Sequence, residues 1–194
     1  MKSILSLILI TFFVNTSLAK ENCTHLEKYD NALSSISTMQ ADFTQNINGK
    51  YHSSGKFLMK KPEKILIDYN KGAVNALIGV NGKLATYLDK DLEQISHIPK
   101  DKTPAHFLLN TDKQLSKMNI QECSDEKNGG YAITFLQATD IVSGKFTMIF
   151  DKNAVISKIL VEQGDGDLID LTFTNVALNG EIPNSKFIIK DPRL

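Results

Sequence analysis

The sequence predicts a mainly β chain with a few helices, in which one long antiparallel sheet curls into a barrel or part-barrel. Three observations carry this. Most of the chain alternates apolar and polar residues with a period of two. The runs are joined by short turn signals, Asn81-Gly82, Gly129-Gly130, Lys152-Asn153 and "GDGD" at 164–167, which favour local antiparallel connections. A helical period appears only near the start and in one short central stretch, so these helices are the elements available to cover the sheet's apolar face.

In chain order, "MKSILSLILITFFVNTSLA" (1–19) has a basic start, an apolar run from Ile4 to Val14 and a small-x-small end, the pattern of a cleaved secretory signal. The run falls short of the roughly 20 residues that span a bilayer. Residues 20–194 are then expected to form a single domain. From Thr24 the residues Leu26, Tyr29, Leu33 and Ile36 recur at helical spacing, and Thr24 with Glu27 fits a capping box. Met39, Ala41, Phe43 and Ile47 begin the β pattern, followed by a hairpin in "GKFLMKKPEKILIDY" (55–69), then "AVNALIGV", "KLATYL" and "DLEQISHI". Thr103 as N-cap and Pro104 at the first helical position predict a short helix over 104–109, with Asp112 to Met118 a second. Strands resume at "YAITFLQ", "GKFTMIF", "VISKILVEQ", "LIDLTFTNVAL" and "KFIIK", for ten or so in all.

Composition narrows the function. The mature segment carries one more acid than base, and Arg193 is its single arginine, which argues against nucleic acid as a partner. The four histidines are dispersed, and the two cysteines lack zinc-ligand spacing, so no metal or other cofactor is expected. No GxSxG elbow, P-loop or GxGxxG occurs, which leaves a secreted hydrolase as a weak alternative. Asp165, Asp167 and Asp170 read better as a solvated hairpin turn than as a calcium loop. In an oxidising compartment Cys23 and Cys123 either pair or remain as buried thiols; the charged and polar Lys20-Glu21-Asn22 argues against the third reading, a lipid-modified Cys23.

The unusual feature is apolar. Phe43, Phe57, Met59, Ile65, Ile67 and Tyr69 share one strand phase, and Phe107, Leu108 and Leu109 crowd the short helix. These residues form either an ordinary core or the wall of a cavity between sheet and helices that takes an acyl chain. Lys61, immediately before Pro62, falls in the same phase, where a charge is out of place.

"SISTMQADFTQ", "GKFLMKKPEKILIDY", "VNGKLATYLDKDLEQISHIPKDKTPAHFLL" and "NSKFIIKDPRL", in this order, resemble the outer-membrane lipoprotein carrier protein (LolA) family over essentially the mature chain. The resemblance implies a curved, unclosed antiparallel β-barrel covered by a helical lid, with "NSKFIIKDPRL" as its closing strand. It implies a monomeric periplasmic chaperone, not an enzyme, that takes acylated lipoproteins from an inner-membrane releasing ABC transporter complex to an outer-membrane acceptor. An apolar-ligand binder or envelope-stress sensor on the same fold is the alternative. Phe43, Phe57, Met59, Ile65, Ile67, Tyr69, Phe107 and Leu108 become the expected acyl-chain site. Lys61, where the family commonly has arginine, becomes a lid latch donating to carbonyls of the lid over 104–109.

Overall fold

The computed structural model describes residues 23–109, 115–138 and 143–193. The expected signal segment and residues 112–114 of the second expected helix lie outside the described residues. One helix, α1 (Leu26–Ser35), precedes six strands, β1 (Thr38–Ile47), β2 (Tyr51–Lys60), β3 (Lys64–Gly72), β4 (Ala76–Asn81), β5 (Leu84–Asp89) and β6 (Gln94–Pro99). A 3-10 turn (Lys100–Lys102), the short helix α2 (Ala105–Leu109) and a second 3-10 turn (Leu115–Lys117) follow. The chain then returns to β structure in β7 (Ile120–Asp125), β8 (Tyr131–Ala138), β9 (Ser143–Phe150), β10 (Ile156–Gln163) and β11 (Leu168–Leu178).

All eleven strands belong to one sheet, in the order β6-β5-β4-β3-β2-β1-β11-β10-β9-β8-β7. Every neighbouring pair is antiparallel. The first and last strands in that order do not pair, so the barrel is unclosed, and the segment carrying α2 runs from one edge strand to the other. Alternation along each strand sends one set of side chains inward. In β1 this set is Met39, Ala41, Phe43 and Gln45, all buried, while Thr44 between the last two is exposed.

The inner face packs as a continuous core. Phe57 meets Phe173 at 4.9 Å between ring centroids, and Phe107 of α2 stacks on Phe146 at 4.8 Å and on Phe135 at 5.2 Å. Such ring pairs contribute about 0.5–1.5 kcal/mol each beyond the area they bury. α1 turns Tyr29 and Leu33 inward, and Tyr29 stacks on Tyr131 at 4.8 Å with the rings 2° from parallel.

The ends of α1 are fastened by different means. The Thr24–Glu27 capping box does not form: His25 is the N-cap, and no side chain caps the helix there. A Cys23–Cys123 disulfide, with Cα atoms 5.3 Å apart, ties the entry to α1 onto the edge strand β7 instead. Closing a loop of 100 residues contributes about 4–5 kcal/mol in the chain-entropy account. At the other end three carbonyls of the last turn find side-chain donors: Ser35 Oγ donates to Ala32 O, Asn179 Nδ2 to Ser35 O, and Lys61 Nζ to Leu33 O, which also accepts from Ile36 N at 3.3 Å.

Four further expectations are corrected. "KFIIK" is not a strand; Asn184–Phe187 form a 3-10 turn, so β11 and not "NSKFIIKDPRL" is the last strand. Phe187 and Ile189 instead pack on the outer face, where Phe187 is enclosed and Gly79 lacks the Cβ that would lie 2.7 Å from Ile189 Cδ1, while Ile188 between them is exposed. Strand β7 was not anticipated, because Ile120 and Cys123 are its only apolar residues and lie three apart, which leaves no period-two alternation to read. Leu115–Lys117, within the second expected helix, form only a 3-10 turn. Thr103 does not cap α2 through its side chain; its hydroxyl donates back to Lys100 O.

Gly55 of β2 sits opposite Phe43 of β1 and Tyr69 of β3. A Cβ there would lie 1.9 Å from Asp68 O and 2.9 Å from Phe43 Cε1, so the bare backbone lets both rings lean over β2. Gly55→Ala is expected to destabilise the chain by roughly 1–3 kcal/mol through overpacking, read as a lower urea midpoint at unchanged m-value. An unchanged midpoint would show that β2 yields freely at this point.

Candidate functional site

Register assembles the inner wall in rows. Phe57, Ile67, Ile78, Tyr87 and Ser96 are successive cross-strand neighbours from β2 to β6, and Met59, Ile65, Val80, Ala85 and Ile98 form the next row. The rows face Phe146, Ile159, Val161, Ile169 and Leu171 from β9, β10 and β11, and between them lies a cavity of about 370 Å³. Side chains from both halves of the sheet meet in one space, so the sheet bends around it. Pro104, Ala105 and Leu108 close one side from the α2 segment. The volume falls within the roughly 300–1,000 Å³ usual for small-molecule sites.

The cavity brings together five of the eight apolar residues singled out from sequence: Phe57, Ile65, Ile67, Tyr69 and Leu108. Phe43, Met59 and Phe107 are buried in the core and do not line it. Phe43 instead supports the wall, its ring edge-on to Tyr69 at 5.0 Å. Towards the opening the lining is less covered: Tyr87 is 38% exposed and Ile98 42% exposed.

Gln45 was overlooked by the sequence reading. It is 6% exposed, lines the cavity, and accepts a hydrogen bond of 2.5 Å from the Tyr69 hydroxyl. The signal was present in β1, where Met39, Ala41, Phe43 and Ile47 mark the inward phase and a glutamine interrupts it. Burial pushes the Tyr69 phenol up to about 12, so it remains a donor at neutral pH.

Lys61 lies in the turn between β2 and β3, preceding a cis peptide bond to Pro62. Its backbone N–H donates to Ser37 O at 2.9 Å and its Nζ donates to Leu33 O at 2.5 Å. The acceptor therefore belongs to the last turn of α1, where the helix presents partial negative charge, and not to residues 104–109 as expected. Burial pulls the ammonium down to about 8, opposed by the carboxylate of Asp30. Asp30 also accepts from Leu115 N at 3.0 Å, joining α1 to the segment that follows α2.

Other features offer less for an apolar ligand. A groove of about 430 Å³ on the outer face includes Asp42, Lys56, Asp68, Glu181 and Lys186 among its lining, with Lys56 paired to Asp42. His97 pairs with the Thr86 hydroxyl and His106 with the Thr103 carbonyl; among the described residues neither has a carboxylate partner. In the 164–167 turn the aspartates accept from the chain itself, Asp165 from Asp167 N and Asp167 from Asn48 Nδ2. No group of three metal-ligating side chains occurs among the described residues. No helix among them is long and apolar enough to cross a membrane.

Comparison with known proteins gives a consistent family. The chain is 27% identical over 196 residues to an uncharacterized protein of Rickettsia prowazekii (strain Madrid E), covering 100% of this chain and 90% of that one. It is 26% identical over 199 residues to an outer-membrane lipoprotein carrier protein of Legionella pneumophila (strain Paris), covering 97% and 95%. Among solved structures, an uncharacterized conserved protein from Thermus thermophilus matches with a TM-score of 0.51 at 6% identity, covering 83% of this chain and 91% of that one, a likeness of fold alone. Residues 34–190 match the family described as outer membrane lipoprotein carrier protein LolA, and since this span holds all eleven strands and both sides of the cavity, the chain belongs to the LolA family.

Proposed function

We propose that this chain is a periplasmic carrier that binds the acyl chains of lipoproteins released from the inner membrane and delivers them to an outer-membrane acceptor. The observation that carries the reading is an apolar cavity, enclosed by the inner face of an unclosed sheet, in a chain of this family. The releasing partner would be an ABC transporter complex, as the family's role implies. Each buried CH₂ is worth about 0.8 kcal/mol, so a long acyl chain held in this cavity is kept from water by on the order of 10 kcal/mol. Delivery then requires an opening device. Lys61 suits that role as a latch on α1: one charge-assisted bond, supported by the Asp30–Leu115 contact, holds the helix without the irreversibility of a packed core.

Ile67 points into the cavity and is half-buried, so Ile67→Glu places a carboxylate against the proposed acyl chain while leaving the fold intact. Mass spectrometry of gently purified protein should find lipoprotein bound to the wild type and lost from this variant. A free lipid in place of lipoprotein would instead indicate a ligand binder or sensor, and steady release of acid from ester substrates a hydrolase.

The latch has a pH signature. The unfolded chain keeps the Lys61 proton up to the ordinary value of 10.5, whereas the folded chain releases it near 8. Between those values the unfolded state binds more protons, so the unfolding free energy rises with pH there; below about 8 the cost of burying the ammonium is present in full. The stability of wild type relative to Lys61→Met should therefore increase across this window in urea titrations. Lys61→Met should also speed amide exchange in α1 at neutral pH, and Lys61→Arg should preserve protection. A pH-independent difference with unaltered exchange would remove the latch.

A further inference from the structure

The cavity contains a hydrogen-bond donor that no protein group meets. Gln45 Oε1 is occupied by the Tyr69 hydroxyl, which leaves Nε2 and its two N–H groups. Among the described residues nothing accepts from Nε2. Gln45 also borders a small groove of about 210 Å³ with Asn46, His52 and Asp170, but in register it pairs with Leu171, and the two share the cavity wall. The side chain is 6% exposed and forms part of the cavity wall. Gly55 makes the pair possible: Tyr69 on β3 reaches Gln45 on β1 across β2 at the point where β2 has no side chain.

The rest of the lining determines which acceptor fits. Gln163 of β10, Ser96 and Thr103 add neutral polar groups, and the described lining contains no Asp, Glu, Lys, Arg or His. A carboxylate or phosphate drawn inside would have no cation to pair with, whereas a neutral carbonyl oxygen needs only a donor. An alkyl chain without a carbonyl would leave the donor unmet.

Resting on the carrier reading, we propose that Gln45, oriented by Tyr69, is a binding site for the neutral carbonyl of an ester- or amide-linked acyl chain. The cavity thereby favours the head of an acylated protein over a free fatty acid, and the preference arises from the wall of the carrier itself.

The test is displacement of the neutral fluorescent probe N-phenyl-1-naphthylamine by methyl dodecanoate, dodecanoate and dodecane, in wild type, Gln45→Leu and the double variant Gln45→Leu/Tyr69→Phe. The double variant leaves no orphaned hydroxyl should the single one fold poorly. Taking each ligand's ratio between wild type and variant cancels its solubility in water. One hydrogen bond predicts that methyl dodecanoate weakens roughly three- to tenfold in the variants while dodecane is unchanged. Dodecanoate should not bind more tightly than the ester in wild type. Equal ratios for ester and hydrocarbon, or tightest binding by dodecanoate, would overturn the carbonyl site while leaving chain binding in place. Failure of all three ligands to displace the probe would overturn the carrier reading and this site together.

Discussion

An antiparallel sheet of eleven strands that bends but does not close is the constraint behind the other features of the molecule. Because side chains alternate, every inward position of the central strands faces the same space, and the sheet is too wide for its own residues to fill it. Aromatic and sulphur-containing side chains such as Phe43, Met59 and Phe135 pack one part of that space to near-complete burial. Elsewhere the wall is built from Ile65, Ile67, Ile78 and Ile159, and the remainder is left as a cavity. The open edge is handled similarly. The α2 segment spans from β6 to β7 and inserts Phe107, Leu108 and Leu109, so a helix too short to stand alone is held by what it covers.

The two helices are attached unequally. α1 has a covalent tie at its entry, three capped carbonyls at its exit and a stacked tyrosine between them. Of these, the Lys61 bond is the one whose donor is charged, part-buried and reversible. α2 is fastened by apolar contact, and the carbonyl of its preceding Thr103 receives the His106 ring. An acyl chain entering the cavity would touch α2 through Leu108 and Ala105, whereas Lys61 acts on the other helix. In this account the wall that reads the cargo and the latch that secures the cover are separate structures, joined by the Asp30–Leu115 bond.

Sequence legibility followed the strength of period-two alternation. The β2–β3 hairpin could be read because Phe57 and Met59 in β2 and Ile65, Ile67 and Tyr69 in β3 keep one phase around the turn at Lys61-Pro62, and the register places Phe57, Ile65, Ile67 and Tyr69 on the cavity wall. "KFIIK" misled because burial against an outer face yields the same apolar spacing as a strand without any backbone partner. β7 was invisible because Ile120 and Cys123 are its only apolar residues and do not alternate with a period of two. Lys61 could be singled out as a charge in the wrong phase, but its acceptor could not, since Leu33 lies 28 residues away and reaches it only through the packing of α1 across the end of the barrel. Gln45 escaped because a search guided by apolar residues passes over a polar one in the same phase.

The central claim is that the inner face of the sheet holds the cargo's acyl chain. Adjacent residues of β3 separate the faces: Ile67 lines the inner cavity, and Leu66 lines the outer groove. A photoreactive amino acid placed at position 67, irradiated in protein loaded with an acylated lipoprotein, should cross-link to the lipid-bearing N-terminal portion of that lipoprotein, and the same group at position 66 should not. Cross-linking at 66 in preference to 67, or equally at both, would contradict the account.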